Sequence, residues 1–429
     1  MNPRPQTKAR ELTPAQHRLI RSQLVMLPLY LWAIYIWQVF IQQLPFTWFG
    51  PTALVFRDFA HFYILGAVAR IHDATLLFDE PAQKLLLMQH VPAYVDVAFP
   101  PSYGPQVAML FRPLAALPYV PALIVWMAVT ATLYLVTAWA VWRKCQNLRS
   151  RAWQVFALLT VSPALHFVLM YGQTSALALL CFGGAYLGLR HHRPFLAGLA
   201  IGGLFYKPQL GLASALLFVA AGHWRVVVGA IVGAAAQLLA AAAYWGVAVL
   251  PAYLEAVRRI PSTVMLIEPE KRHLHGWRAF FQMTGLEGTP LLAATIAASL
   301  CTLAIAITCW RRQGDLRLRF TVLMTTTVLI NPHIYVYDLV ILTPAGLLLW
   351  DFLSESHMSL AVTRGFGALL ILGFAAPSLG FWAPQLHLQP SVIVLAVVTI
   401  VATALSFEAP AFLTSARRRA LPQSSEFPL

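Results

Sequence analysis

Apolar runs about as long as a bilayer is thick recur along this chain from residue 24 to residue 407. A helix needs roughly 17–25 such residues to cross the hydrocarbon core of a membrane. Only 11% of the residues are charged and 59% are hydrophobic, whereas a typical soluble domain carries about 25% charged residues. Because lipid offers no partner for backbone polar groups, apolar runs of this length favour helices. The sequence therefore predicts an all-α fold, a polytopic integral membrane helical bundle.

The apolar runs divide into about twelve spans, and we expect one transmembrane domain over residues 24–407. Arginine and lysine cluster between certain spans, as they do in cytoplasmic loops. On this reading the tails, residues 1–23 and 408–429, are cytoplasmic, and residues 42–121 and 247–288 form two long exported loops with interfacial helices. The predicted spans are 24–41, 122–142, 153–170, 174–189, 195–206, 208–222, 225–246, 289–310, 318–331, 334–350, 362–383 and 391–407.

Three segments depart from the simple pattern of regular spans. Residues 195–206 and 318–331 are too short to cross a bilayer as regular helices, so we expect broken or partial helices whose irregular backbone lines a cavity. Residues 104–120 are rich in proline, which predicts an interfacial helix or a further pair of short spans. The first span has no small-residue cleavage site after it and is expected to be an anchor.

The net charge of +14 could indicate nucleic-acid binding, but the basic residues lie mainly between spans, where they report topology. We therefore expect membrane lipids and no nucleic acid among the partners. None of the four cysteines falls in a predicted exported loop, so no disulfide framework is expected. The sequence also contains no paired-carboxylate motif for a metal-bound nucleotide and no clustered metal ligands, so neither a metal nor another cofactor is expected.

Polar side chains interrupt the apolar sequence at the predicted exported ends of the spans. Ionisable groups at membrane depth cost roughly 2.5–3.5 kcal/mol each, so they persist where they act or are paired. Because these residues come from separate parts of the chain, their convergence predicts a site. The candidates are Asp58, His61, Tyr103, Gln173, Lys207, His275, His333, Tyr337 and Asp338.

Each candidate also has a structural interpretation. Asp58 precedes an amphipathic stretch and would serve as an N-cap. Lys207 would snorkel to the interface with its stem in lipid. His333 and Asp338 would form a structural pair about one helical turn apart. For the isolated histidines of the loops, a solvated side chain is the simpler interpretation.

The functional interpretation is transfer from a lipid-linked phosphate donor. Asp58 is the candidate general base, because it lies in an exported loop with access to water and to a membrane cavity. Lys207 is the candidate for binding the donor phosphate, since a cation stabilises the charge on a departing phosphate. His333 could assist either role, and the other candidates would support the site or bind substrate.

Five short motifs resemble glycosyltransferase family 87, a bacterial family of the GT-C superfamily. They lie between residues 55 and 350, and they are Arg57-Asp-Phe, Phe99-Pro-Pro-Ser-Tyr-Gly-Pro, Tyr171-Gly-Gln-Thr-Ser, Ala197-Gly-Leu-Ala-Ile-Gly-Gly-Leu-Phe-Tyr-Lys-Pro and Asn331-Pro-His-Ile-Tyr-Val-Tyr-Asp-Leu. The resemblance implies a GT-C-like bundle, a polyprenyl-phosphate sugar donor with mannose as the expected sugar, and a lipid or glycan acceptor. It also implies that Asp58 matches the catalytic aspartate, at a site facing the periplasm or exterior of the bacterial inner membrane.

Two other classes of function remain open at this point. In a transporter or lipid flippase for an envelope precursor, Lys207 and Asp338 would line a permeation path and the short spans would be broken transport helices. A membrane structural subunit of an envelope-assembly complex would need no polar site at all. The halves of the chain look unlike each other, which disfavours a transporter with internal repeats.

Overall fold

The computed structural model describes residues 57–91, 99–100, 102–267, 271–312, 314–355 and 360–420, and five positions between residues 31 and 38. These residues form helices and no strand, apart from one isolated antiparallel bridge between Leu274 and Tyr335. The predicted all-α class is confirmed. The α-helices are α1 Arg57–Ile71, α2 Glu80–His90, α3 Pro105–Phe111, α4 Tyr119–Trp142, α5 Ala152–Thr160, α6 Pro163–Tyr171, α7 Ser175–Arg190, α8 Pro194–Gly202, α9 Pro208–Ala220, α10 Trp224–Trp245, α11 Val249–Ile267, α12 Trp277–Met283, α13 Gly288–Arg311, α14 Leu316–Ile330, α15 Thr343–Glu355, α16 Leu360–Leu379, α17 Ala383–Leu386 and α18 Pro390–Ala420.

Apolar helices cover the predicted spans from residue 122 onward. Within the described residues, seven helical segments have the length and composition to cross a membrane: Tyr119–Trp142, Gln146–Tyr171, Trp224–Trp245, Gly288–Arg311, Val336–Glu355, Arg364–Leu386 and Pro390–Phe407. Three apolar helices are shorter: Ser175–Arg190, Pro194–Tyr206 and Pro208–Ala220. Most of the first predicted span, the tail 1–23 and residues 421–429 lie outside the described residues.

The short spans behave differently from one another. Residues 195–206 are broken as predicted, because α8 gives way to a 3-10 helix at Gly203–Tyr206 and α9 starts afresh at Pro208. Proline has no N–H to donate and is favoured at the first position of a helix. Residues 318–330 lie in one unbroken helix, α14, whose 15 residues are fewer than a regular span needs, so this segment is the partial helix of the prediction and not the broken one.

The first long loop contains a buried helix rather than an amphipathic interfacial one. Phe59, Phe62 and Val68 of α1 are fully covered, although they point in different directions around the helix. A helix that is apolar on every side is buried on every side. A Cβ on Gly66 would lie 2.4 Å from the carbonyl oxygen of Phe111, so α3 packs directly on the backbone of α1.

The other loop segments are short or amphipathic. Helix α3 has 7 residues and the 3-10 helix Leu114–Ala116 has 3, so neither can cross a bilayer and residues 104–120 contain no further span. Helix α11 in the second loop buries Tyr253 and Ala256 and exposes Leu254, the pattern predicted for an interfacial helix.

Helices α8 and α10 contact each other through glycine. A Cβ on Gly198 would lie 2.1 Å from the carbonyl oxygen of Val226, and a Cβ on Gly202 would lie 2.4 Å from that of Ala230. Small residues four apart let helix backbones approach closely in membranes. The backbones of the two helices are therefore in direct contact.

An ion-pair cluster ties together one end of the bundle. Arg317 forms salt bridges with Asp315, Asp351 and Glu355, each at 2.7 Å. The backbone N–H of Asn147 donates to Asp351 Oδ1 at 2.8 Å. These contacts bring two of the predicted cytoplasmic clusters, near residues 143–151 and 311–319, to the same end. The polar site candidates lie at the other ends of the helices that leave this cluster.

Candidate active site

The loop between α6 and α7 brings a glutamine against the first turn of α1. Gly172 ends α6 with φ at 66°, a left-handed conformation that glycine adopts without steric cost. A Cβ at this position would lie 2.6 Å from Phe59 Cβ, and Trp126 Nε1 donates to the Gly172 carbonyl at 2.9 Å. The next residue, Gln173, donates from Nε2 to Asp58 Oδ2 at 2.8 Å.

A buried ion pair lies where the helical path is broken before α9. Lys207 Nζ donates to Asp338 Oδ1 at 2.5 Å, and the two side chains are only 4% and 1% exposed. The ammonium group also lies 5.0 Å from the centre of the Tyr337 ring. Lys207 is thus paired inside the protein, and the alternative in which it snorkels to the interface is wrong.

Asp338 has further donors besides the lysine. Ser175 Oγ donates to Asp338 Oδ1 at 2.6 Å, and the backbone N–H of Tyr335 donates to Oδ2 at 3.3 Å. A buried charge is tolerated when it is both paired and hydrogen-bonded. The carboxylate therefore joins three parts of the chain: the break at Lys207, the start of α7 and the 3-10 helix Val336–Leu342.

One loop connects the two carboxylates. Gln173 contacts Asp58, and Ser175, two positions later, contacts Asp338. Between them, the N–H of Thr174 donates to Gln173 Oε1 at 3.1 Å. The structure therefore brings Asp58, Gln173, Lys207 and Asp338 into one contiguous network, as their sequence positions suggested.

Tyr103 and His61 lie next to this network as neutral side chains. Burial, with the charges of Asp58 and Asp338, raises the pKa of Tyr103 well above its ordinary value, so its phenol keeps its proton. His61, one helical turn after Asp58, stacks on Phe99 with ring centres 5.0 Å apart. Burial lowers the pKa of His61 to about 3, so its imidazole is uncharged at neutral pH.

His275 anchors the second long loop to the site. Its backbone N–H donates to the Ile334 carbonyl at 2.9 Å, and its Nδ1 lies 2.7 Å from Ser391 Oγ. Burial lowers the pKa of His275 to about 3. A fully buried, neutral imidazole in these contacts holds the loop against the segment that leads to Asp338.

His333 lies in a turn that is fastened to α9. Asn331 Oδ1 accepts from the His333 N–H at 3.0 Å, and Asn331 Nδ2 donates to the Gln209 carbonyl at 3.2 Å. The His333 side chain is partly exposed. Its contact with a donor phosphate stays a prediction, as do the roles assigned to the other candidates.

Sequence reasoning missed two side chains of the site, Ser175 and His273. His273 Nδ1 lies 3.0 Å from Tyr335 Oη and 3.4 Å from Tyr171 Oη. Ser175 stands in a motif noted for its resemblance to a family, but a serine before a helix normally indicates only a cap. Its contact with Asp338 joins residues 163 positions apart, so no local signal marks it.

An apolar cavity of about 300 Å³ lies between α8, α9 and α10, and Pro208, the residue after Lys207 in the chain, is part of its lining. Its walls include Phe205, Leu212, Phe218 and Ile231. Among the residues that the structure describes, no group of three or more His, Cys, Asp and Glu side chains could hold a metal ion. The structure thus contains a buried Lys207–Asp338 ion pair and, lined by the next residue of the chain, an apolar cavity.

Comparison with known protein families matches residues 102–332, more than half of the 429-residue chain, to glycosyltransferase family 87. The match includes Tyr103, Gln173, Lys207 and His275, and it ends before Asp338. No curated protein and no solved structure gives a significant match.

Proposed function

Because the chain belongs to glycosyltransferase family 87, we propose that it transfers a hexose, with mannose as the expected sugar, from a polyprenyl-phosphate donor to a lipid or glycan acceptor. Membership of the family makes the protein a glycosyltransferase, and its apolar helices make it a membrane protein. The donor, the acceptor and the residue roles below are the proposal. Family membership favours this enzyme over a transporter or flippase.

Asp58 is the proposed general base. In the transfer step its carboxylate takes the proton of an acceptor hydroxyl while that oxygen attacks the anomeric carbon. The bond from this carbon to the donor phosphate breaks, and polyprenyl phosphate leaves with the electron pair. The transition state has oxocarbenium character, as in other glycosyl transfers. The contact between Gln173 and Asp58 is the observation that carries the assignment, because it joins this carboxylate to the cationic part of the site.

Lys207 and His333 are the proposed ligands of the donor phosphate. Lys207 is paired with Asp338, but that carboxylate also accepts from Ser175 and from a backbone N–H. The lysine can therefore exchange Asp338 for an incoming phosphate and leave a hydrogen-bonded aspartate behind. A cation in a water-poor site stabilises the charge that develops on the leaving phosphate. Tyr103, Tyr337, His61 and His275 would support this arrangement.

The apolar cavity lined by Pro208 suits the isoprenoid part of the donor, because its walls are almost entirely hydrocarbon and Pro208 directly follows Lys207 in the chain. Burial of apolar surface favours such binding by roughly 25 cal/mol per Å². The arginine-rich end of the bundle, around Arg317, supports an orientation in which the site faces the periplasm or exterior of a bacterial inner membrane.

The proposal is tested with Asp58→Asn in membranes that receive labelled polyprenyl-phosphate mannose and envelope extract as acceptor. Loss of a positioned general base should reduce the rate about 10²–10⁴-fold, with the protein still folded. Asp79→Asn is the matched control, because Asp79 is an exposed N-cap of α2 and asparagine caps equally well. Undiminished transfer by Asp58→Asn would show that the base is another group.

A further inference from the structure

The orientation of the Gln173 amide is determined by its neighbours. The side chain is buried, with 4% of the residue exposed. Its Oε1 accepts from the backbone N–H of Thr174, which can only donate. The amide oxygen must therefore face Thr174, and the NH₂ group must face Asp58 Oδ2, 2.8 Å away.

This orientation has a consequence for the carboxyl group. An NH₂ group can only donate, so Asp58 Oδ2 must accept, and a proton on this carboxyl group could be carried only by Oδ1. Hydrogen bonds to the charged form of a carboxyl group favour that form. A general base has to be ionised before it can take a proton. The contact with Gln173 thus favours the ionised state that the reaction requires of Asp58.

Gln173 itself has little freedom to turn away. Both ends of its amide are hydrogen-bonded, and the preceding residue, Gly172, is held by Trp126 and by close contact with Phe59. The following turn places Ser175 on Asp338. The same short loop therefore touches both carboxylates of the site.

We propose that Gln173 is a positioning residue that keeps Asp58 ionised and in one orientation, within a loop that also fixes Asp338 through Ser175. This inference rests on the proposed function, in which Asp58 is the base. Two phenols lie close enough to Asp58 for an electrostatic interaction: Tyr103, before α3, and Tyr337, in the 3-10 helix. Both phenols also interact electrostatically with Asp338, and the nearby His61 is uncharged.

The protonation of Asp58 can be measured without any transfer reaction. A hydrophobic carbodiimide reacts with protonated carboxyl groups, so the labelling of the Asp58 peptide at a series of pH values, read by mass spectrometry, gives its titration midpoint. The purified full-length protein in detergent is suitable. In Gln173→Ala the midpoint should rise by about one to two pH units, which corresponds to losing a hydrogen bond to a charged group.

Gln173→Glu provides a second variant that keeps the loop intact. Its Oε1 still accepts from Thr174, while its other oxygen opposes Asp58, so the two carboxyl groups should share a proton. The midpoint of the pair should rise at least as far as in the alanine variant. Gln146→Glu, the same change at an exposed position at the opposite end of the bundle, should leave the Asp58 midpoint unchanged.

The kinetic expectation separates positioning from binding. With polyprenyl-phosphate mannose, kcat of Gln173→Ala should fall about 10–100-fold while KM changes little, since the transition state loses more than the bound substrate. An unchanged labelling midpoint in either folded variant would overturn the inference. If the midpoint shifts while Asp58→Asn still transfers sugar, Gln173 positions Asp58 but Asp58 is not the general base of the proposed reaction.

Discussion

The buried pair of Lys207 and Asp338 makes a quantitative prediction about stability. Lys207→Met retains much of the side-chain volume and removes the charge 2.5 Å from Asp338 Oδ1. Both groups are almost completely covered, so solvent does not screen their interaction. Breaking a buried pair by removing one partner costs about 3–5 kcal/mol, because the other charge is left uncompensated. That is a large part of a net stability of about 5–15 kcal/mol.

The double variant Lys207→Met/Asp338→Asn should recover most of this loss. Its asparagine is neutral and its side-chain oxygen can still accept from Ser175 Oγ, which now donates to Asp338. Replacing both members of a buried pair by neutral groups is often close to neutral, so the variant should lie within about 1–2 kcal/mol of the wild type. Transfer activity should stay low, since the proposed phosphate ligand is absent.

The assay is reversible unfolding in mixed micelles, followed by tryptophan fluorescence as the fraction of denaturing detergent rises. Lys271→Met serves as the control, because Lys271 is exposed and its loss should change the unfolding free energy by less than about 0.5 kcal/mol. The single variant Asp338→Asn completes the comparison. If the double variant is destabilised by the sum of the losses in Lys207→Met and Asp338→Asn, the two residues are not energetically coupled and the reasoning fails.

Two further predictions concern the backbone and the pH dependence of stability. Gly172→Ala should cost about 2–4 kcal/mol in the same unfolding assay, because it combines a left-handed φ with a Cβ 2.6 Å from Phe59 Cβ. The control is Gly222→Ala, where φ is 78° and the space around the glycine is open. This variant should lose only the smaller part of that free energy, the part that comes from the left-handed backbone. The His275 pKa is lowered to about 3 in the fold, so below the ordinary pKa of 6.5 the unfolded chain binds a proton that the folded protein does not. Stability should therefore fall by about 1.4 kcal/mol per pH unit for this group as the pH drops from about 6.5 towards 3, and His275→Asn should reduce that slope in unfolding curves measured across this range.

The helical bundle could be predicted from hydropathy because lipid leaves the backbone few alternatives to a helix. The break before Pro208 was equally readable, since proline restarts a helix. For residues 318–331 the sequence left a broken and a partial helix open, and α14 is a short, unbroken helix of 15 residues. It stays regular with threonine hydroxyls bonded to carbonyls of the preceding turn, as for Thr325 on Thr321 and Thr327 on Leu323.

Charged residues of the candidate site could be recognised in the sequence, whereas an uncharged residue and the contacts between the residues could not. Asp58, Lys207 and Asp338 stood out because a charge in apolar sequence is costly. The sequence did not show which of these residues contact each other, because Asp338 and Lys207, which form an ion pair, are 131 positions apart. Ser175 carries no charge and gave no signal. The burial of α1 was not predicted either, because it depends on contacts with helices from other parts of the chain, and the local sequence of α1 does not reveal those contacts.

The glycine contact between α8 and α10 has a consequence for how Lys207 can act. With no side chain between their backbones, the two helices pack as one unit. Lys207 follows this unit in the chain, directly after Tyr206. Bending the chain there would separate a close-packed surface. We therefore expect the ammonium group to move by rotation about the single bonds of its own four-carbon side chain, and not by a movement of α8 away from α10.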